Sequence, residues 1–403
     1  MLRLKKLLCL AAVYAALPLL ASTQTSVVAK PRPLLLAHYM PWFETNPSAG
    51  KWGWHWTMNH FDPSKVANGK AEIASHYHPI IGPYDNDDPS VIAYEVMLMK
   101  LSGIDGVLID WYGNDDYLDY GGNQRRTIHL IQEIKKAGLK FGIVYEDQTV
   151  PRLISGKVFT KEQTETHLNA MLRWMDRTWF HDSNYVKLGG KPLLLVFGPQ
   201  YLQDSQWSHL FAGVSPQPAF FTLMNPHGPA VGALGWPMPH DGDAGSAKSV
   251  DGFYQQSSKW SAFIPAAFPR FDDIYKEAGV SDSWGHIADN SHQLYQQLLT
   301  RGIQSGAPCV QLVTWNDWGE GTVLEPSEEF GYASLETTQV ARKALIDPGF
   351  SNTVSDLRLV FRWYKLREQL PKNRKGLLDG FPELIYAGKV KQAKQLLGSA
   401  MRG

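Results

Sequence analysis

Cysteine is almost absent from this sequence: of 403 residues, only two are cysteines, Cys9 and Cys309. Cys9 falls in an N-terminal apolar run that we predict to be removed, which leaves Cys309 without a partner and excludes an intrachain disulfide. Because Cys309 itself lies in an apolar run, we predict that it is a core residue. The fold must then rest on its core, and a hydrophobic fraction of 44% supplies enough apolar material for one.

Neither sign of charge is in excess, since Lys and Arg number 39 and so do Asp and Glu. This balance excludes the strongly basic surface that is typical of nucleic-acid binding, so we predict no nucleic-acid partner. The phosphate loop, the dinucleotide fingerprint and the Gly-x-Ser-x-Gly turn of α/β hydrolases are also missing. We therefore predict that the protein has no cofactor.

Metal-ligand patterns are weak. His76-Tyr77-His78 offers two histidines with no third ligand in sight. The acidic run 85–88 lacks the glycine and the terminal glutamate of a calcium loop, and Asp88-Pro89-Ser90 suits a helix start instead. We predict no metal site.

Only one long apolar run is present, from Leu7 to Leu20, between three basic residues and the small residues 21–23. That order is typical of a secretory signal peptide. The run is shorter than the roughly 20 residues that span a bilayer, although an uncleaved anchor is the alternative. We predict a signal peptide at 1–23 and an exported protein, periplasmic or secreted, that has no membrane contact after signal removal. Residues 30–403 are then expected to form one catalytic domain, and the protein to be a monomer.

Short apolar runs alternate with segments of helical periodicity, which favours βαβ units. Polar or aromatic residues follow where each run ends, as at the catalytic face of a barrel. We predict a single (β/α)8 TIM-type barrel with long βα loops, the stretch 200–260 being the longest, and with closing helices at 357–370 and 390–397. An open doubly wound sheet is the rival. The predicted strands are 33–38, 105–110, 140–145, 192–197, 218–222, 250–254, 262–266 and 309–315.

The segment Thr314-Trp315-Asn316-Asp317-Trp318-Gly319-Glu320-Gly321-Thr322 has the most chemical promise. Its two carboxylates, Asp317 and Glu320, follow a predicted buried strand, and glycosidic cleavage commonly uses one carboxylic acid and one carboxylate. The neighbouring tryptophans could desolvate a carboxyl and raise its pKa, as an acid catalyst needs. The alternative is that Asp317 caps a following helix and that the tryptophans only pack.

Aromatic residues are plentiful, with 14 tryptophans, 17 tyrosines and 17 phenylalanines. Trp52, Trp54 and Trp56 alternate, so on an extended segment they would share one face and could stack on sugars. The alternative is a hydrophobic plug under a long loop. Glu146 and Asp147 end the third predicted strand and could contact substrate, or form an ion pair or helix cap. Asp110 ends the second strand and leaves the same choice.

The segment 314–322 resembles the last-strand signature of glycoside hydrolase families 71 and 99. Other segments agree with this resemblance in order: Ala37-His38-Tyr39-Met40-Pro41-Trp42, Asp110-Trp111-Tyr112-Gly113, Gly190-Lys191-Pro192 and Glu325-Pro326. The resemblance implies a (β/α)8 barrel that needs no metal for its chemistry. It also implies a polysaccharide or glycan substrate, either an α-mannan or an α-glucan, cleaved internally.

Family 99 carries two glutamates in an Asn-Glu-x-x-Glu pattern, one removing the proton of the sugar 2-hydroxyl and one acting as acid/base. By resemblance these positions fall on Asp317 and Glu320. The first is one methylene shorter here, which is closer to the Trp-Asn-Asp pattern of family 71. The resemblance therefore implies that Glu320 is the general acid and that Asp317 is a base or binds a sugar hydroxyl.

We predict that the substrate-binding residues lie at the ends of the strands and on the first loop. They are His38, Tyr39, Trp42, Trp54, Asp110, Trp111, Tyr112, Glu146, Trp236, Asn316 and Trp318. Three hypotheses follow: a glycoside hydrolase, a carbohydrate-binding barrel of the cell envelope that has lost catalysis, and an exported structural protein on the same scaffold.

Overall fold

The computed structural model describes residues 32–46 and 51–402. The predicted signal peptide and Cys9 lie outside these residues. The described residues form a ring of parallel strands: β1 Leu34–Tyr39, β2 Gly106–Trp111, β3 Lys140–Tyr145, β4 Lys191–Val196, β5 Ala219–Leu223, β6 Gly232–Leu234, β7 Ala262–Ile264 with its continuation Ala266–Ala267, and β8 Cys309–Leu312.

The ring closes through β7, whose two pieces lie on either side of Pro265. The first piece pairs with β6 and the second with β8, while β8 pairs with β1. Each of these pairings is parallel, as are those that join β1 through β6. The predicted barrel is therefore confirmed, and the open sheet is excluded because β7 pairs with both β6 and β8 and so joins the two ends of the strand order.

The sixth predicted strand is wrong. Residues 250–254 lie inside a helix, Gly242–Ser257, and the sixth strand is the three-residue Gly232–Leu234. Gly232 suits this position because a Cβ there would lie 1.8 Å from the carbonyl oxygen of Ala262 on β7. The last strand is also shorter than predicted, since β8 ends at Leu312. The stretch 200–260 is not mainly loop, because it contains two helices and two strands.

Helices follow most strands and cover the outside of the ring. They are α1 Trp54–Thr57, α2 Pro89–Ser102, α3 Tyr120–Lys136, α4 Thr149–Ser155, α5 Thr164–Met175, α6 Asp204–Phe211, α7 Gly242–Ser257, α8 Gln293–Gln304, α9 Ala333–Ala341, α10 Val354–Gln369, α11 Phe381–Tyr386 and α12 Val390–Arg402. Asp88 caps α2 by accepting from the Ser90 backbone N–H at 2.7 Å, which confirms the predicted start. The two predicted closing helices are confirmed as α10 and α12.

Short antiparallel pairs decorate the ring. Thr45–Asn46 pairs with Lys51–Trp52, Val66–Ala67 with Lys70–Ala71, Phe271–Asp272 with His286–Ile287, and Lys187–Leu188 with β4. Over 32–46 and 51–402, no helix is both long and apolar enough to cross a membrane.

The barrel interior is filled by one buried apolar cluster to which each strand contributes. Its members include Leu36, Leu108, Val144, Leu195, Phe221, Leu234, Ile264 and Cys309. The core prediction for Cys309 is thus confirmed, and burial raises the pKa of its thiol to about 12. Since side chains alternate along a strand, the residue two positions after each of these also points inward. That alternation decides which strand-end side chains reach the site.

Candidate active site

Five inward-facing residues above the apolar plug are polar or aromatic. They are His38 above Leu36, Asp110 above Leu108, Glu146 above Val144, Phe197 above Leu195 and Trp236 above Leu234. All of them lie at the carboxyl ends of the strands, which is where parallel barrels place their active sites. The floor of the site is therefore a direct consequence of strand periodicity.

A cavity of about 210 Å³ opens above this floor. Eight residues predicted from the sequence line it: Trp42, Trp54, Asp110, Tyr112, Glu146, Trp236, Asp317 and Glu320. The remaining lining residues are Met40, Phe43, His55, Met58, Gln148, Phe197, Tyr275 and Gly319. The structure thus brings both predicted catalytic carboxyls into one chamber with aromatic walls.

Asp317 and Glu320 are linked through the backbone of a tight turn. The Glu320 N–H donates to Asp317 Oδ1 at 3.1 Å, and the Asp317 N–H donates to Thr314 Oγ1 at 2.8 Å. Gly321 ends the turn with a φ of +67°, a left-handed conformation that favours glycine. Asp317 therefore caps a turn, not a helix, and lines the cavity at the same time.

Glu320 combines burial with an unsatisfied oxygen. Its Oε1 accepts from the Tyr275 phenol at 3.4 Å, whereas its Oε2 is buried without a hydrogen-bond partner. Burial, followed by the negative charges of Asp317 and Asp273, raises the pKa of Glu320 well above its usual range. These surroundings favour the protonated form of Glu320, which can donate its proton to a ligand in the cavity.

Asp317 is held closer to ionisation. Burial raises its pKa to about 6, while the Glu320 backbone N–H stabilises the charged form and limits the rise. Above that pH Asp317 is a carboxylate, while the upward shift of the Glu320 pKa favours its acid form. Two carboxyls whose pKa values are pushed apart in this way can divide acid and base roles between them.

A second carboxyl pair, Asp110 and Glu146, forms the opposite part of the floor. Burial raises the pKa of Asp110 to about 8, and burial together with the charge of Asp110 raises the pKa of Glu146 further above its usual range. The pair thus retains a proton near neutral pH. Asp110 Oδ1 is buried without a partner, so it is free to bind a hydroxyl group of a ligand.

The histidine beneath this pair is neutral. His38 Nε2 lies 3.7 Å from Asp110 Oδ2, but burial lowers the pKa of His38 to about 4. Its ring contacts Trp236 edge-on at a centroid distance of 4.9 Å. His38 is fully buried and supports the floor from below, while Asp110 and Trp236 face the cavity.

The two adjacent acids after β3 have different tasks. Glu146 lines the cavity and accepts from the Gln148 side chain. Asp147 is fully buried and accepts from three backbone N–H groups, at Gln200, Tyr201 and Leu202, between 2.8 and 2.9 Å. Glu146 therefore lies where a ligand would meet it, whereas Asp147 is structural but, among the residues that the structure describes, forms neither an ion pair nor a helix cap, since it binds a loop.

The back of the 315–320 segment carries a hydrogen-bonded layer. Trp318 Nε1 and Asn316 Nδ2 donate to the Tyr84 phenol oxygen at 3.2 and 3.3 Å, and Tyr84 donates to Glu325 Oε2 at 2.7 Å. Asn316 also exchanges two bonds with the Met40 backbone, at 2.8 and 3.0 Å. These bonds fix the segment from the side that faces away from the cavity.

A second buried acid extends the layer towards α2. Trp315 Nε1 donates to Glu95 Oε1 at 3.2 Å, and the Tyr39 phenol donates to Glu95 Oε2 at 2.6 Å. Burial raises the pKa of Glu95 to about 8, and burial followed by the charge of Glu95 raises the pKa of Glu325 well above its usual range. The layer therefore holds at least one proton near neutral pH.

His38, predicted to bind substrate, lies beneath the floor, and four more residues with that prediction do not reach the cavity either: Tyr39, Trp111, Asn316 and Trp318. Each is fully buried. Tyr39 and Trp111 follow the inward residues His38 and Asp110 by one position, so strand alternation turns them towards the helices. Trp111 Nε1 donates to Gln124 on α3 at 2.7 Å, and the other three belong to the layer behind the segment.

The first-loop tryptophans do not share one face, because Trp54–Thr57 forms the short helix α1 instead of an extended segment. Trp56 is buried and donates to the Tyr84 backbone oxygen at 2.7 Å, which fits the hydrophobic-plug alternative. Trp54 is 40% exposed and lines the cavity. Beside it, Trp42 stacks on His55 with a centroid distance of 4.2 Å.

Sequence reasoning missed Tyr275, His55 and Gln148 as cavity residues. Gln148 follows Glu146 at a strand end, so the position was a signal that could have identified it. His55 sits between two tryptophans already considered. Tyr275 lies far from any strand end, and no local pattern marks it.

The two histidines of His76-Tyr77-His78 are engaged elsewhere. His76 Nε2 lies 3.2 Å from the Asp273 backbone oxygen, and His78 Nδ1 lies 3.1 Å from Glu329 Oε1. Among the residues that the structure describes, no group of three or more His, Cys, Asp or Glu side chains is arranged to hold a metal ion.

Comparisons with known proteins agree on the fold. The structure of a family 99 endo-α-mannosidase from Bacteroides thetaiotaomicron matches with a TM-score of 0.58 at 17% identity, covering 77% of this chain and 98% of that one. A glycoside hydrolase-like protein matches with a TM-score of 0.53 at 12% identity, covering 78% and 94%. Both likenesses concern the barrel.

Sequence relatives extend the likeness. A glycoprotein endo-α-1,2-mannosidase of Mus musculus is 22% identical over 327 residues, which cover 72% of this chain and 67% of the relative. The uncharacterized protein WxcX of Xanthomonas campestris is 22% identical over 356 residues, covering 76% and 49%. The family model described as glycosyltransferase WbsX matches residues 246–338, which include β7, β8 and the 315–320 segment.

Proposed function

We propose that the chain is a glycoside hydrolase, since it is similar in sequence and fold to the endo-α-mannosidases of family 99, and that it cleaves internal α-glycosidic bonds of a mannan- or glucan-type glycan. In this proposal Glu320 is the general acid that protonates the leaving oxygen. Asp317 is the base, acting on water or on a sugar hydroxyl. Asp110 and Glu146 bind hydroxyl groups from the floor of the cavity.

The observation that carries the proposal is that the Asp317 and Glu320 carboxyls line one cavity and are joined through one turn. A glycosidase needs a protonated carboxyl and an ionised one on the scissile bond at the same pH. Burial and the neighbouring negative charges keep Glu320 protonated, whereas the turn N–H groups favour ionised Asp317. The unpartnered Glu320 Oε2 is the atom available to the leaving oxygen.

The space beside the cavity favours a chain-like substrate. A second cavity of about 600 Å³ shares Trp42, Trp54, His55, Tyr112 and Gln148 with the first. Neither Asp317 nor Glu320 lines it. It can therefore hold further sugar units on the side of the site away from the acid, against aromatic walls that suit sugar faces.

Export is part of the proposal. The apolar run between basic residues and small residues near the N-terminus supports delivery to the periplasm or the medium, where polysaccharides are accessible. Fusing residues 1–30 to a reporter enzyme that is active only after export would test it. A fusion that is produced at full length but shows no reporter activity would contradict export.

Two alternatives receive specific support. The family model named for a glycosyltransferase covers the 315–320 segment, so transfer of a glycosyl unit to a sugar hydroxyl, in place of water, is one of them. The other is a binding protein without catalysis, which the shorter Asp317 in place of glutamate favours. Both would use the same cavity.

Product release from a panel of α-mannans and α-glucans tests the proposal. The wild type is expected to release oligosaccharides from at least one polymer. The Glu320→Gln variant is expected to bind that polymer and release none, and the exposed Glu328→Gln is the matched control that keeps activity. Elongated products would favour transfer, and binding without any product from the wild type would favour the binding protein.

A further inference from the structure

The two exposed tryptophans of this chain both belong to the neighbourhood of the site. Of the 14 tryptophans in the sequence, all of which the structure describes, Trp54 is 40% exposed and Trp284 is 51% exposed. The other 12 are buried or half-buried. Trp54 lines the cavity. Trp284 does not, so its exposure is unexplained by the site as described so far.

The backbone of Trp284 is fixed by a buried carboxylate. The Trp284 N–H donates to Asp273 Oδ2 at 2.8 Å, and the Ser283 hydroxyl donates to the same oxygen at 3.0 Å. Asp273 itself is only 4% exposed. Next in the chain, Gly285 packs so closely that a Cβ there would lie 2.3 Å from the Pro239 oxygen. An exposed aromatic ring is thus presented on a firmly held loop.

The same carboxylate connects this loop to Glu320. Asp273 Oδ1 accepts from the Tyr275 N–H at 3.2 Å, and the Tyr275 phenol donates to Glu320 Oε1 at 3.4 Å. The neighbouring Asp272 N–H donates to the Glu320 backbone oxygen at 2.8 Å. Trp284 is therefore joined to the acid through two residues on each path, Asp273 with Tyr275 and Asp273 with Asp272, and its loop is fixed beside Glu320.

The two sides of the site differ in what they contact. The second cavity, with Trp54 at its border, extends away from Asp317 and Glu320. Trp284 is bonded to Asp273, which also holds Tyr275, and the Tyr275 phenol contacts Glu320. A general acid stands beside the oxygen of the leaving sugar, so the leaving portion of a glycan must lie on Glu320's side.

We propose that Trp284 is an outer sugar-binding platform for the leaving portion of the substrate. His240 borders it, with its ring edge-on to Trp284 at a centroid distance of 5.4 Å. This inference rests on the proposed function and deepens it: the substrate is a glycan chain that continues for several units past the cleaved bond. The chain runs from the second cavity, across Asp317 and Glu320, to Trp284.

Chain-length dependence tests this platform. Trp284→Ala is expected to lower kcat/KM about tenfold on long oligosaccharides, the loss of one aromatic contact of about 1.4 kcal/mol. On an aryl glycoside, whose leaving group ends next to Glu320, kcat/KM should stay within about twofold of the wild type. Trp284→Tyr should restore most of the loss. Val280→Ala, 44% exposed on the preceding stretch, is the control and should change neither value.

Binding in the Glu320→Gln background separates this inference from the proposed hydrolysis. Calorimetry with the same oligosaccharides should show weaker binding of long chains, and unchanged binding of short ones, when Trp284→Ala is added. If the wild type releases no product but this difference appears, the platform stands and the hydrolysis fails. If Trp284→Ala affects all chain lengths equally or none, the platform is overturned, whether or not the enzyme is active.

Discussion

The two faces of the 315–320 segment differ in how their polar atoms are satisfied. On the back, Trp315, Asn316 and Trp318 place every side-chain donor on a buried acceptor. On the front, Glu320 Oε2 and the facing Asp110 Oδ1 are buried without a partner. Unsatisfied buried polar atoms cost stability, so those whose residues line the cavity indicate where a ligand completes the bonding.

The 315–320 segment is thus both anchored to the fold and part of the candidate active site. The indole and amide groups behind it are fully enclosed, which fixes the backbone without occupying the cavity. In front, the Asp317 carboxyl accepts from the Glu320 N–H within the turn, and the Glu320 carboxyl accepts from the Tyr275 phenol. The back face also has one buried oxygen without a partner, Glu325 Oε1. We therefore infer that Glu325 is the acid that keeps its proton in the back layer.

Replacing the front carboxylate should have the largest effect. Asp317→Asn keeps the side-chain oxygen that accepts from Glu320 N–H but removes the base, so kcat should fall by about 10³-fold while the fold is retained. Steady-state kinetics on the polymer identified by product release measures this. Asp356→Asn, a buried cap on α10 remote from the cavity, is the control. Equal losses in both variants would show that Asp317 has no chemical role.

Breaking the back face should cost less and should act on kcat alone. Tyr84→Phe removes the oxygen on which Asn316 and Trp318 converge. A displacement of the carboxyls by about 1 Å would lower kcat by up to about 100-fold with little change in KM. Tyr295→Phe also loses one buried phenol bond, to Thr338 at 2.9 Å, and should leave kcat unchanged. A Tyr84→Phe variant that is destabilised but fully active would contradict this prediction, because the bonds on the back would then not position the carboxyls in front.

The pH profile should be a bell whose acid limb reports Asp317. Activity is lost as the pH falls through about 6, the pKa of Asp317, because the base is then protonated. It is lost again as the pH rises and Glu320 gives up its proton. Asp273→Asn removes a negative charge that raises the pKa of Glu320, so the alkaline limb should move to lower pH. If the alkaline limb does not move in this variant, Glu320 is not the group that titrates there.

The smallest effect is expected on stability, through Glu325. Burial raises its folded pKa, so between its unfolded pKa and the higher folded one the folded protein binds more protons than the unfolded chain. The free energy of unfolding must then fall as the pH rises, by at most about 1.4 kcal/mol per unit. Glu325→Gln cannot ionise and should show a shallower slope in denaturant titrations at several pH values.

Asp356 should change the free energy of unfolding with pH in the direction opposite to that of Glu325. The Lys394 ammonium and the Thr353 groups lower its pKa against the effect of burial. Its contribution is present above its unfolded pKa and is lost as the pH falls through the folded one. Asp356→Asn should therefore flatten the acid side of the stability curve only. If the free energy of unfolding changes with pH in the same way in the wild type and in Glu325→Gln, Glu325 does not retain a proton in the folded protein.

The sequence was most informative where periodicity operates. Seven of the eight strands were placed because continuous apolar runs mark strands buried on both faces. The same alternation could have excluded Tyr39 and Trp111 from the site, since each follows an inward residue. Strand β6 escaped because three residues between glycine- and proline-rich loops carry no periodic signal, and the apolar residues 250–254 belong to a helix.

Loop-borne features could not be predicted in the same way. Nothing in the order Trp315-Asn316-Asp317-Trp318 decides which side chains face the cavity, because a turn has no fixed period. The contacts of Tyr275 with Glu320 and of Tyr84 with Trp318 join residues 45 and 234 positions apart. Such pairs depend on how the ring closes, which local pattern does not contain.

The most direct test is a structure of the Glu320→Gln variant with an oligosaccharide that the wild type cleaves. The two faces predict that the glycosidic oxygen lies within about 3 Å of the residue 320 side chain. Asp317 should face the reacting sugar, and the back bonds through Tyr84 should be unchanged. A bound oligosaccharide whose glycosidic oxygen lies beyond reach of residue 320, or a ligand seated outside this cavity, would contradict the assignment of the chemistry to the front face.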